Sequence, residues 1–284
     1  MIRKRINILK ERLKGLNIDG YIIPKNDEFF SEYAIKDRLK IISNFSGSAG
    51  MAIISKKNNY LFVDGRYTLQ AKQQSGAYFK IIEIHKFLPF QIIKNLKLGY
   101  DPSLFTKSRL NTYFNQSLKL KPIKKNLIDE IYKTKNLRTK PFFSLDEKIA
   151  GETSRSKIRK VTRVLRSMKT DYLFISAPEN VAWLLNIRGH DNPSSPIPNC
   201  RLILGKNKKL ILVARREKLI KLLKDKKILK NQIIDPENLS TLIKNLKGKK
   251  FIIDKSSCSI LNEKIIKSKF RITGAKDPCY KLKS

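Results

Sequence analysis

The 284-residue chain reads as an α/β protein built from two related rounds, each a mixed sheet flanked by helices. Three observations predict this. Short apolar runs of strand length alternate with amphipathic segments of helix length, the pattern of a mixed sheet covered by helices. Tyr21-Ile22-Ile23 and Tyr172-Leu173-Phe174 fall at matching places, as do Leu61-Phe62-Val63 and Ile211-Leu212-Val213. Both offsets are about 150 residues, which indicates an internal duplication.

The first round opens with a helix over about residues 2–14. Ile6, Leu9, Leu13 and Leu16 recur on one face, and Gly15 closes it. Tyr21-Ile22-Ile23 follow as a strand stopped by Pro24. A Gly-rich turn (Gly47, Ser48, Ala49, Gly50) leads into strands at Met51–Ser55 and Tyr60–Val63, and a helix over 65–75 opens at Asp64-Gly65-Arg66-Tyr67. Further on, the pattern predicts a strand at Phe79–Ile84, a helix near 87–96, a strand at Leu98-Gly99-Tyr100 and a helix at 106–118. Lys133 to Lys140 is polar and ends at Pro141, which places a linker there. In the second round, a helix over 154–168 carries Ile158, Val161, Val164, Leu165 and Met168 on one face. Strand Tyr172–Ser176 follows, then a helix with Pro178 in its first turn, where a missing N–H does no harm. Strands at 201–204 and 210–213 flank the turn at 205–209. Helices near 215–224, 236–246 and 256–267 complete the round, with strands at Phe251–Ile253 and 270–273.

Composition bounds the function. The 61 basic and 24 acidic residues leave a net charge of +37, a field that attracts polyanions such as nucleic acid or an anionic surface. Only 16 of the 61 are Arg, however, whereas phosphate and base recognition favours the planar guanidinium fork. The Lys-rich balance, beside abundant Ile and Asn, reads as the base composition of the gene. Lys-rich stretches at 119–125, 206–209 and 244–250 hold few aromatics and read as solvated faces. Cys200, Cys258 and Cys279 stand far apart, which points to neither a disulfide framework nor a zinc site and fits a reducing cytoplasm. No apolar run approaches the ~20 residues that cross a bilayer.

The most informative stretch is Asn44 to Gln73. Small residues at Gly47 and Gly50 let the chain bend where a Cβ would clash, and Asp64 suits the cap of the helix that follows. In this order the features resemble the N-terminal domain of the creatinase, prolidase and Xaa-Pro aminopeptidase family, with the aminopeptidase P branch the best match. Leu127-Ile128-Asp129-Glu130-Ile131, Pro141-Phe142-Phe143 and Ala150-Gly151-Glu152 are similar to that family's bridge between its first two domains. Glu179 to Gly189, with its Asn-Ile-Arg-Gly ending, looks like the second domain, and Asp277-Pro278-Cys279 like the lead into a third. The resemblance implies creatinase N-terminal-like domains at 1–140 and 141–276, with 277–284 starting a linker to a catalytic domain not included. In the family, that pita-bread domain holds two divalent metals, usually manganese, on two Asp, one His and two Glu. No metal or cofactor is therefore expected in this chain. The implied role is a dimerisation and substrate-gating scaffold, truncated or split and inactive by itself. Its expected partners are a second copy or a separately encoded catalytic domain, with peptide substrate only when completed. The alternative is a basic module binding nucleic acid or another polyanion; no membrane partner is expected.

Each candidate residue has a functional and a structural reading. By the resemblance, Asp64, Arg66 and Tyr67 help shape a substrate pocket or an interface, with Arg66 meeting a peptide carboxylate. Structurally, Asp64 caps a turn and Arg66 pairs with an acid, and this is the favoured reading. Trp183 is expected in the core, and Arg188 at the turn that ends its helix. His85 and His190 belong to no helical metal pair and read as structural, with His190-Asp191 the better placed for incidental metal binding. The turn at 47–50 lacks the Lys-[Ser/Thr] ending of a P-loop, and no nucleophile elbow or dinucleotide fingerprint occurs.

Overall fold

The computed structural model describes residues 1–115, 118–133 and 140–283. Most of the linker expected at 133–140 lies outside them. The chain divides into two units, Met1–Asn136 and Leu137–Ser284.

The first unit runs α1 (Ile2–Gly15), β1 (Gly20–Pro24), α2 (Arg38–Ser43), β2 (Gly50–Ser55), β3 (Asn59–Val63) and, after a 3-10 turn at Gly65–Tyr67, α3 (Thr68–Ser75). It continues with β4 (Lys80–Glu83), α4 (Pro89–Ile92), β5 (Lys97–Tyr100), α5 (Lys107–Tyr113), β6 (Lys119–Pro122) and α6 (Leu127–Ile131). The six strands lie in the order β4-β3-β2-β1-β5-β6. β1–β2 and β2–β3 are antiparallel, and the other neighbours are parallel. Ile6, Leu9 and Leu13 of α1 pack into a core with Tyr21, Ile23, Ile54 and Leu61, so the apolar face of the helix covers one side of the sheet.

The second unit runs β7 (Phe143–Ser144), α7 (Glu147–Ala150), α8 (Ser154–Ser167), β8 (Tyr172–Ile175), α9 (Pro178–Leu185), β9 (Ile187–Arg188), β10 (Arg201–Gly205) and β11 (Leu210–Val213). Then come α10 (Ile220–Lys224), β12 (Ile233–Ile234), α11 (Leu239–Asn245), β13 (Lys250–Ile253), α12 (Ile260–Lys267), β14 (Arg271–Gly274) and α13 (Pro278–Leu282). Its main sheet has the order β12-β11-β10-β8-β13-β14, and β7 pairs with β9 separately. Strand for strand, order and sense repeat the first unit.

The repetition reaches single residues. Asp19, just before β1, accepts from Lys97 N of β5 and from Lys56 Nζ beyond β2, both at 3.0 Å. Asp171, just before β8, accepts from Lys249 N at 2.8 Å, Lys250 N at 3.0 Å and Lys206 Nζ at 2.7 Å. After the next central strand, Asp101 holds the N–H and hydroxyl of Ser103, and Asp254 holds those of Ser256. Asn126 caps α6 while donating to Asp101; Asp277 caps α13 while its N–H donates to Asp254.

Several expectations are corrected. Leu127–Ile131 is the closing helix α6 of the first unit, because burial of Leu127 and Ile128 draws it onto that core, and is not a bridge. Residues 278–282, expected as the start of a linker, form its counterpart α13, with Cys279 wholly buried in the second core. The Lys-rich stretch at 119–125 contains the edge strand β6, where lysines suit an unpaired side. The helix near 87–96 shrinks to one turn, and the one at 106–118 ends at Tyr113. Met168 caps α8 and is exposed, while Lys157 and Thr162 take buried places on that helix. Among the described residues, no helix is long and apolar enough to cross a membrane.

Candidate functional site

The parallel pairing of β3 with β4 sets Val63 opposite Glu83. The chain leaves both strands at the same edge, so Asp64 and His85 meet there although 21 positions apart, with Oδ2 and Nε2 at 3.2 Å. Asp64 also accepts from Arg66 through the backbone N at 3.1 Å and Nε at 2.8 Å. The Arg66 guanidinium first, then its N–H, then His85, hold this carboxyl well below the usual range, and the carboxylate in turn raises Arg66. The Asp64 side chain is 20% exposed, against 77% for Arg66 and 72% for His85. The corner thus presents a guanidinium and an imidazole to solvent around an inner anion.

The turn at 47–50 buttresses this corner. Ser48 Oγ and Tyr67 Oη lie 2.9 Å apart, and the Phe45 ring meets Tyr67 edge-on at 6.0 Å. Gly47 and Gly50 are needed for space, not for a left-handed backbone. A Cβ on Gly47 would stand 2.3 Å from the Phe45 ring, and one on Gly50 3.1 Å from both that ring and the Phe62 carbonyl. The expected clash is therefore with Phe45. Chemically, a ready-made Arg66–His85 pair suits recognition of a carboxylate.

A second polar cluster, at the C-terminal end of β1, escaped the sequence reading. Arg38 is 4% exposed and donates to Asp129 through Nε and Nη2, each at 2.9 Å, and also to Glu28. Burial opposes the Arg38 charge, yet Asp129 and Glu28 outweigh it and raise its pKa. Lys25 pairs with Asp37, and Asn26 bonds both Leu104 O and Arg109. The cluster ties the loop after β1 to α6 and α5. Arg38 and Asp129 stand 91 positions apart, so nothing local signals it.

In the second unit, Arg188 Nη1 donates to Ala182 O at 3.2 Å and Ile187 O at 2.9 Å, at the C-terminal end of α9. Trp183 is half-buried against the core, with the Lys157 ammonium 4.9 Å from its ring centroid. Lys157 itself donates to Trp183 O and Asn186 Oδ1. Asn186 has the left-handed φ of +52°, and Asn44 at the end of α2 matches it with +69°. Asn44-Phe45-Ser46-Gly47 and Asn186-Ile187-Arg188-Gly189 are thus the same helix exit, and Arg5 serves α2 as Lys157 serves α9 by donating to Ile41 O. The Gly-turn is partly retained in the second round, at Gly189. His190 stacks on Phe143 at 5.3 Å, while Asp191 is engaged by Lys218 and Asn199 N, both at 2.6 Å. Burial pushes all three thiols up, Cys258 to about 12, which disfavours the thiolate near neutrality. Among the described residues, no three of His, Cys, Asp and Glu gather to hold a metal ion.

Two tandem units with this strand order, each closing on the same capped helix, define a creatinase-type N-terminal fold. Residues 5–131 and 133–284 each match the Creatinase/Prolidase N-terminal domain, and the chain belongs to that family. Its relatives narrow the branch to the Xaa-Pro aminopeptidases. It is 33% identical over 211 residues to a probable Xaa-Pro aminopeptidase P of Coprinopsis cinerea, covering 68% of this chain and 34% of the relative. It is 32% identical over 220 residues to Xaa-Pro aminopeptidase 1 of Dictyostelium discoideum, with 69% and 35% covered. The chain thus spans about a third of the length of these relatives. The X-prolyl aminopeptidase of Caenorhabditis elegans, a cytosolic enzyme with a di-nuclear active site, shares the fold with a TM-score of 0.83 at 22% identity, covering 97% of this chain and 50% of that one.

Proposed function

We propose that this chain supplies the paired, non-catalytic N-terminal domains of a Xaa-Pro aminopeptidase, and that it dimerises and gates peptide access to a catalytic domain outside these residues. The observation that carries the reading is the match of both units to one domain family, together with Xaa-Pro aminopeptidase relatives of which the match covers about a third. Arg66 is the side chain best placed to meet a peptide carboxylate, because it is exposed and anchored by Asp64. Three buried, unpaired thiols support a cytoplasmic setting.

The test is an assay of the purified chain on Xaa-Pro peptides with manganese, alone and mixed with the isolated catalytic domain of a relative. No turnover above the metal blank is expected from the chain alone, and a gain is expected on mixing. Arg66→Ala should lower that gain by raising KM. Turnover by the chain alone would overturn the proposal.

A further inference from the structure

We propose that the second unit holds a ligand pocket for an amphipathic anion, an alkyl chain of medium length ending in a carboxylate. A cavity of about 390 Å³ opens where α8, the segment of β7 and α7, and the β10–β11 turn come together. That volume is typical of small-molecule sites. Its floor is apolar, made by Ile158, Leu185, Leu212, Leu222 and Ile228. Leu212, Leu222 and Ile228 are buried residues of the unit's core, so the cavity reaches into packed structure.

The mouth has the opposite character. Arg155, Arg159, Lys208 and Lys227 stand around it, with Glu147 the one acidic residue in the lining. All four cations are exposed, and among the described residues no ion pair or side-chain hydrogen bond engages them. Lys218 and Lys206 of this unit, by contrast, are paired, with Asp191 and Asp171. One wall, formed by Ser144, Leu145 and Glu147, comes from the segment of β7 and α7.

The two surfaces select one chemistry. Each CH2 transferred to the floor is worth roughly fourfold in affinity. An exposed ion pair contributes at most about fivefold. The chain thus supplies most of the affinity and the rim chooses the sign of the headgroup. A purely polar anion leaves the floor wet, and an apolar molecule leaves the rim unanswered.

The test is calorimetric titration of the full chain with decanoate below its micelle concentration, at low salt. Saturable binding at a single site is expected. Octanoate, shorter by two CH2 groups, should bind roughly fifteenfold more weakly, and decyltrimethylammonium should give no saturable heat. Arg155→Glu with Arg159→Glu should weaken decanoate about tenfold or more, with the circular dichroism unchanged. Lys57→Glu with Lys94→Glu, in the first unit, should leave affinity as it was. If the arginine pair disturbs folding, Lys208→Glu with Lys227→Glu tests the other side of the mouth. Equal binding of the cationic detergent, unchanged affinity in the rim variants, or no saturable binding of decanoate overturns the proposal. Peptidase assays, whatever their result, do not bear on it.

Discussion

At the scale of one residue, a single carboxylate fastens three strands in each unit. Asp171 is the stronger case, since Lys206 first and the Lys249 N–H next lower its pKa to about 2. Its unfolded value is near 3.9. A depressed carboxylate contributes stability that is present above the unfolded value and lost as pH falls through the folded one. Asp171→Asn should therefore cost about 1–2 kcal/mol at pH 7. The gap from wild type should close between about pH 4 and pH 2, as read by urea unfolding at a series of pH values. An unchanged midpoint at pH 7 would mean that the three contacts contribute nothing net. Glycine offers a test of opposite signs. Gly47→Ala drives a methyl into the Phe45 ring and should cost about 1–3 kcal/mol by overpacking. Gly15 ends α1 with nothing within 4 Å of an added Cβ and no left-handed backbone. Gly15→Ala should stabilise by about 0.5–1 kcal/mol. Thermal melts of both variants distinguish crowding from chain entropy.

At the scale of the element, α13 shows how a short helix can carry a unit. It spans five residues, yet Cys279 is wholly buried, and Asp277 caps it while accepting from Asn180 at 2.7 Å. Deleting 277–284 removes that contact and opens the core beside Val161 and Val181. The loss should be about 3 kcal/mol or more. Trp183 is the sole tryptophan and lies in this unit. Its fluorescence transition should move to lower denaturant, while hydrogen exchange in β1 and β2 stays unchanged. An unmoved Trp183 transition would mean that α13 is only appended. Such elements explain what the sequence left unread. The central strands were legible because each is an unbroken apolar run buried on both faces, as Leu173 to Ile175 show. α2, α6 and α13 were not, because five or six residues complete too few turns for a 3.6-residue period to stand out. The same holds for the sites. The Asp64–Arg66 pair lies within three positions and could be read directly. His85 and the Arg38–Asp129 pair depend on strand register and topology, which no local pattern records.

At the scale of the whole molecule, charge decides how the fold responds to salt. Even if every one of the 24 acidic residues found a cation, 37 of the 61 basic side chains would remain without an anion. Salt acts in two directions. It weakens attractive pairs such as Lys56–Asp19, whose side chains are 48% and 37% exposed and contribute little in any case. It also screens the repulsion among the excess cations, which destabilises the compact state more than the expanded one. The second effect should prevail, because the 37 cations left without an anion outnumber the 24 that acidic residues can balance, and most lie at the surface. As the Debye length falls from about 30 Å at 0.01 M to about 6 Å at 0.3 M, the urea midpoint followed by Trp183 should rise, by roughly 1 kcal/mol in stability. Chloride and sulfate compared at equal ionic strength separate screening from binding. Equal gains mean screening alone, whereas a larger gain with sulfate means that the excess lysines and arginines hold anions at particular places. A midpoint that falls with salt would show instead that the ion pairs prevail and that the positive excess is too dispersed to strain the fold.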